Sequence, residues 1–314
     1  MFFIVDLIRR IGYRGLMNTN YPKRVDLIEV GPRDGFQFEA HTLPTEFKLK
    51  IIEGLVEAGL SQIQVTSFVH PERMPQMADA EKLIRGLPKA AGIEYSGLVL
   101  NPRGVQRAVR SGLTSVEISI SASDTHSRKN TGMSLDQAVV KGAEMIRLAR
   151  TLNMTVRAGI QCAFGCVYEG RIPLKRVREM AQRFLDLGVD ALALADTTGM
   201  GTPGSVKDLL EHLLPKTKEV PLVFHFHDTR GMGLANVMAA LEYGVSRFDT
   251  ALGGMGGCPF VQGAAGNIAT EDTAYLLASL NLQTGVTISK VAECSKQLEN
   301  YYGKSFSGKI HRIY

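Results

Sequence analysis

Short, nearly continuous apolar runs alternate along this chain with longer stretches in which apolar residues recur every three or four positions. The runs at 25–30, 63–68, 95–100, 115–120, 155–161, 191–195, 222–227 and 247–252 have strand length, and unbroken apolar strands are those covered on both faces, as in parallel sheets. Between them, 46–58, 78–87, 135–152, 174–187, 206–214 and 234–243 carry the helical period. Several helical segments end in a glycine just before the next strand, as in Ala58-Gly59, Ser111-Gly112, Leu187-Gly188 and Tyr243-Gly244, because glycine accepts the left-handed conformation that terminates a helix. Eight such units in roughly 250 residues predict an α/β fold, a (β/α)8 TIM barrel with a short C-terminal helical extension. The competing architecture is a doubly wound open sheet, but no glycine fingerprint follows the first strand. The chain divides into an N-terminal extension (1–24), a barrel domain (25–288) and a C-terminal extension (289–314).

The two ends differ from the middle. Residues 1–17 are apolar and basic, but their apolar run is too short to span a bilayer and no small-residue cleavage site follows it. Residues 1–16 are expected to be dispensable, with Met17 a candidate natural start. The stretch 303–309 reads as a basic, mobile tail after a short helix. The net charge of +5 comes from interspersed charges with no run of one sign, so neither a nucleic-acid partner nor stable membrane insertion is expected. Four cysteines in 314 residues make no disulfide framework, which points to a reducing, cytoplasmic setting. Cys162 and Cys166 have loose metal-like spacing, but no second pair completes a zinc site, and they read as structural.

Barrel chemistry sits at the C-terminal ends of the strands. The first strand runs into Glu29-Val30-Gly31-Pro32-Arg33-Asp34, the seventh ends in His225-Phe226-His227-Asp228, and Gly266-Asn267 follows the eighth. Two histidines one residue apart on a strand point the same way. Asp34, His225, His227 and Asn267 would then converge on one rim as a mixed oxygen and nitrogen donor set. Such a set suits a divalent cation, Mg2+ or Mn2+ first, with Zn2+ also admissible. The bland alternatives are a surface histidine pair and a helix-capping aspartate, and they do not account for three clusters at equivalent positions. Arg33 is a fixed cation beside Asp34 that could neutralise an enolate oxygen. Cys258, in a glycine-rich loop, is either a proton donor and acceptor or a small packing residue.

The segments EVGPRDGFQ, TSFVHPERMPQMADAE, CAFGCVYEG, ADTTGMGTPG, HFHDTRGMGLAN and GGMGGCPFVQGAAGNIATED resemble the signatures of the DRE-TIM metallolyases, most closely the hydroxymethylglutaryl-CoA (HMG-CoA) lyases, from about residue 25 to 280. The resemblance implies metal ligation by Asp34, His225, His227 and Asn267. It implies catalytic roles for Arg33 (enolate stabilisation), Asp34 or His225 (the base for the tertiary hydroxyl) and Cys258 (proton transfer). Substrate contacts fall on Arg33, Gln37, Gln64, Ser67, Asn130, Gly159, Asp196 and Thr197, with Glu29 and Asp196 in a shell around the ligands. The implied reaction is retro-Claisen cleavage of an HMG-CoA-type ester to acetyl-CoA and a 3-oxo acid, with an acyl-CoA as partner and self-association as a homodimer or larger homo-oligomer.

The chain also departs from that family. Gln64 stands where those lyases carry a glutamate, Gly159 where they carry a tyrosine and Ala40 where animal enzymes carry a lysine, and the segment around His126 differs. These changes are expected to enlarge the acyl pocket, to make HMG-CoA a poor substrate and to favour a bulkier C3 substituent. The remaining alternatives are a condensing synthase of the same superfamily, disfavoured by the Cys258 loop and the lack of a regulatory domain, and a non-catalytic barrel.

Overall fold

The computed structural model describes residues 21–217, 219–257 and 265–314. Its strands are β1 (Asp26–Glu29), β2 (Gln62–Ser67), β3 (Glu94–Val99), β4 (Ser115–Ser121), β5 (Thr155–Gln161), β6 (Ala191–Asp196), β7 (Leu222–Phe226) and β8 (Arg247–Thr250). They are parallel, each beside its sequence neighbour, and β1 pairs with β8 to close the barrel. The eight expected strands are these eight.

Side-chain alternation sorts each strand into two faces. Val116, Ile118 and Ile120 on β4, Val156, Ala158 and Ile160 on β5, and Phe224 and Phe226 on β7 are buried in the apolar core between strands and helices. The alternate positions, among them Glu117, Ser119, Gly159, Ala193, His225 and His227, line the barrel's interior cavity. Apolar residues therefore bind the sheet to its helices, while polar ones are gathered inside.

The helices begin where their caps dictate. The helix expected at 206–214 starts earlier, at Pro203–Leu213, because the Thr202 hydroxyl accepts from Ser205 N at 3.3 Å and proline fits the first helical position. Asp124–Thr131 and Thr270–Ser279 are helices that the apolar pattern did not announce. The first of them, DTHSRKNT, has no apolar stripe and is held by the Ser123 cap.

The C-terminal segment departs most from expectation. Its helix runs over 15 residues, Ile288–Tyr302, and ends on Gly303 at φ 62°. The residues beyond it are not loose. Phe306 is 6% exposed and lies against Gly253, where a Cβ would come within 2.8 Å of its ring. Gly308 N donates to Gly253 O at 2.8 Å, and Ser307 Oγ to Gly254 O at 2.9 Å. Asp272 accepts from Lys309 N at 3.0 Å and Ile310 N at 2.7 Å. The tail is thus strapped across the turn that follows β8. Residues 1–20, including the segment expected to be dispensable, lie outside the described residues. Among the described residues no helix is long and apolar enough to cross a membrane.

Removing the Phe306 ring should loosen this strap. Phe306→Ala is expected to cost about 3 kcal/mol, the usual scale for emptying a buried aromatic site, read as a shifted midpoint in urea denaturation. An unchanged midpoint would show that the tail is held without its aromatic anchor.

Candidate active site

Val30 leaves β1 with ψ at 0°, and the chain tightens into a π-helical turn at Gly31–Gly35 that buries both Arg33 and Asp34. Asp34 Oδ2 is 3.9 Å from His227 Nε2, and the two histidine Nε2 atoms are 3.1 Å apart. Asp34, His225 and His227 present ligand-type atoms all within 4.8 Å of one another. A bridge between His227 and Asn267 brings the fourth expected ligand alongside. Asn267 Nδ2 donates to Asp34 Oδ2 at 2.8 Å and to Met255 O at 3.0 Å. The loop can lie this close only because it carries Gly256, at φ +102°: a Cβ there would sit 2.5 Å from Asn267 Nδ2 and 3.0 Å from Asp34 Oδ2.

The donor set fits a cation. His225 Nδ1 lies 3.1 Å from Asp249 Oδ2. A carboxylate only accepts, which assigns the proton to Nδ1 and leaves a lone pair on Nε2. That lone pair faces His227 Nε2, and the buried Asn267 Oδ1 has no hydrogen-bond partner among the described residues. A carboxylate behind a histidine is the arrangement that orients metal-binding imidazoles. The charge states agree. Burial pushes the Asp34 carboxyl up, but Arg33, His225 and His227 outweigh it and hold the group below its usual range. Burial and the neighbouring His225 drive His227 down to about 3, so its ring is neutral at ordinary pH.

Three charged residues that strand-end reasoning missed lie beneath this cluster. Arg157 donates from Nε to Glu117 Oε2 at 2.9 Å, and from its other edge to Asp249 at 2.7 and 3.1 Å. The register explains the meeting, since Glu117 pairs with Arg157 across β4 and β5, and His225 with Asp249 across β7 and β8. Gln64 completes the chain of contacts: Nε2 donates to Glu117 Oε2 at 2.7 Å, and Oε1 accepts from Arg33 Nε. Arg33 also donates to Asp34. Part of the signal was in the sequence, although which groups meet depends on register. Glu117 and Arg157 share the parity of Ser119 and Gly159, and a charge on an inward strand position needs a buried partner.

A cavity of about 920 Å³ opens above these groups. Arg33, Asp34, Gln37, Asn130, Gly159, Thr197, His225 and His227 line it, as does His126, whose imidazole burial pushes down to about 4. Other expected contacts are placed elsewhere. Gln64 is fully buried beneath Arg33, and Ser67 is buried with its hydroxyl 3.4 Å from Gln37 Oε1. Asp196 is not among the cavity's lining residues: its Oδ1 accepts from Met200 N at 2.8 Å, and burial raises its carboxyl to about 6. Glu29 accepts from Gly31 N at 2.7 Å, Leu252 N at 3.0 Å and Thr270 Oγ1 at 2.7 Å, so it braces the loop after β8 rather than the ligands. Cys258 lies outside the described residues. Part of the space expected at Gly159 is occupied by the Ser119 hydroxyl, since a Cβ at 159 would meet Ser119 Oγ at 2.0 Å, while Gly159 itself still lines the cavity. Cys162 and Cys166 are free and buried, in keeping with a structural role, and burial pushes the Cys162 thiol up.

A closed (β/α)8 barrel with a carboxylate and two imidazoles on its C-terminal rim, and an arginine beside them, has the form of a TIM-barrel lyase. The HMGL-like family profile matches residues 24–298, and the chain belongs to that family. It is 42% identical to the mitochondrial hydroxymethylglutaryl-CoA lyase of Bos taurus over 273 residues, covering 87% of this chain and 84% of the relative. Relatives of similar identity are named cytoplasmic. The HMG-CoA lyase of Bacillus subtilis superposes with a TM-score of 0.90 at 38% identity, covering 93% of this chain and 98% of that one. An HMG-CoA lyase from Acinetobacter baumannii, in complex with coenzyme A and 3-methylmalate, superposes at 0.87 with 35% identity, covering 92% and 95%. The chain is accordingly a lyase.

Two substitutions test the cluster. His225→Ala should lower bound metal and abolish turnover. Asp249→Asn, which leaves every proposed ligand in place, should weaken Mn2+ binding by about 10- to 100-fold in a calorimetric titration. Unaltered affinity in Asp249→Asn would mean that something else orients His225.

Proposed function

We propose that the protein cleaves HMG-CoA-type 3-hydroxyacyl-CoA esters to acetyl-CoA and a 3-oxo acid, acetoacetate in the case of HMG-CoA itself. The observation that carries this reading is Arg33 packed against the Asp34, His225 and His227 cluster in the lining of the cavity of about 920 Å³. The family and the CoA complex of the Acinetobacter baumannii lyase support it.

Asp34, His225, His227 and Asn267 would hold a divalent ion, Mg2+ or Mn2+ in this proposal with Zn2+ compatible, and such an ion would supply Lewis acidity that lowers the pKa of the C3 hydroxyl. The base that takes the hydroxyl proton is Asp34 or His225; with His225 Nδ1 protonated toward Asp249 and Nε2 given to the ion, Asp34 is the one left with a lone pair to offer. As the C2–C3 bond breaks, its electron pair passes to the thioester as an enolate while the C3 oxygen becomes a ketone. Arg33, anchored on Gln64 and Asp34, offers a fixed cation to the enolate oxygen and needs no reorganisation as charge appears. Cys258 returns a proton to C2. The four ligand residues are buried, which strengthens each of these electrostatic contacts.

A second reading concerns the acyl branch. Ser119, Gly159 and Ala193 are register neighbours across β4, β5 and β6, and all three line the cavity with small side chains. This floor supports acceptance of a longer C3 substituent. The cytoplasmic setting, supported by the free buried cysteines, and self-association belong to the same proposal.

An acyl-CoA panel assayed for acetyl-CoA release tests both readings. HMG-CoA should be cleaved with metal present, and acetyl-CoA mixed with 2-oxo acids should release no CoA. Turnover of HMG-CoA near 10 per second together with rejection of longer-branched esters would remove the second reading. Ala193→Leu should depress cleavage of the longer esters more than that of HMG-CoA. For the thiol, Cys258→Ser should cost at least about ten-fold in rate, and an alkylated enzyme at full turnover would assign Cys258 to packing.

A further inference from the structure

Gln64 lies between a cation and an anion. Its Oε1 accepts from Arg33 Nε, and its Nε2 donates to Glu117 Oε2 at 2.7 Å. Neither end can be reversed, because a guanidinium only donates and an ionised carboxylate only accepts. Glu117 is ionised: burial opposes its charge, but Arg157 and Arg33 overcome that and hold the carboxyl near 2. A glutamate at 64 would set one buried carboxylate against another, where each disfavours the charge of the other. The amide at 64 and the carboxylate at 117 are therefore matched. The carboxylate also has a second reach, because Arg157 links it to Asp249, which holds His225 Nδ1 at 3.1 Å.

We propose that Glu117 is a positioning residue for the lyase reaction, holding Arg33 through the Gln64 amide on one side and His225 through Arg157 and Asp249 on the other. The negative charge absent from β2 is carried by β4, and Gln64 transmits it. Gln64 is then no relaxed version of a glutamate. It is the side chain that permits a carboxylate on β4 to support a cation on the turn after β1. Glu117 touches none of the reacting atoms in this account. Its effect falls on how Arg33 meets developing charge, and so on kcat more than on KM. The inference deepens the proposed lyase reading, and its kinetic test rests on that reading.

The experiment is a double-mutant cycle on the metal-loaded full chain, with HMG-CoA as substrate. Gln64→Glu and Glu117→Ser should each lower kcat by at least about ten-fold with KM changed by less than about three-fold, and the double variant should return to within about three-fold of the starting enzyme. In the double variant one carboxylate faces Arg33 directly, with no second carboxylate against it. Glu117→Gln, which keeps the shape, should lose rate like Glu117→Ser, so a folding defect in the smaller variant does not hide the result. Losses that simply multiply in the double variant would overturn the proposal, as would a Glu117→Gln enzyme with unchanged kcat. If the unsubstituted protein cleaves no acyl-CoA, the lyase reading itself fails, and the pairing is then judged by melting. Recovery of the double variant's melting temperature above both single variants supports the matched pair, and continued loss removes it.

Discussion

Arg157 is the residue on which the rest of the interior depends. It is a guanidinium inside a barrel, with Glu117 on one edge and Asp249 on the other, and the two carboxylates are 7% and 1% exposed. Taking such charges out of water is costly, and the cost is met only when the set is complete and each group is hydrogen-bonded. Here it is. The carboxylates keep Arg157 charged, with its pKa raised despite burial, and it spans the interior from β4 to β8. Each carboxylate then has acceptor capacity left, and it is used at the site: Glu117 on Gln64, and Asp249 on His225. The stable core of ions and the orientation of the reactive groups are one network.

That network also shows where the sequence was legible. The strands could be read because their outward residues are apolar and meet helices, as with Val116, Ile118 and Ile120. The rim residues could be read because Asp34, His225, His227 and Asn267 are chemically distinctive and fall at strand ends. Glu117, Arg157 and Asp249 lie deeper in the strands, where hydrophobic patterning treats a charge as an interruption. Their meaning depends on register, which sequence alone does not supply. Gly159 is the clearest case, since its missing side chain suggested empty space, whereas the register places Ser119 beside it.

The ends of elements carry a duty that sequence does not display. Asp196 and Glu29 both terminate strands and both are acidic. Each accepts from backbone N–H groups of the loops it begins or faces, Met200 for one and Gly31 and Leu252 for the other. Buried loop amides need acceptors, and a carboxylate at a strand end supplies one as readily as it binds a metal. The basic composition of 303–309 hid a comparable duty. The backbone amides there, with Phe306, fasten the tail to Gly253 and Asp272.

The strap has a consequence for how this protein would wear out. The tail grips the turn at Gly253 and Gly254, and Gly256, two residues on, lies against Asn267 and Asp34 of the metal-type cluster. None of the tail's described contacts reaches the cavity. A protease nick between Gly303 and Lys309 would leave every barrel strand in place, yet free Phe306 from the core and loosen the strap on the turn that leads to Gly256. Ageing or clipped preparations would therefore go silent while their circular dichroism remained that of intact protein, and the lesion would lie in residues that no substrate ever meets.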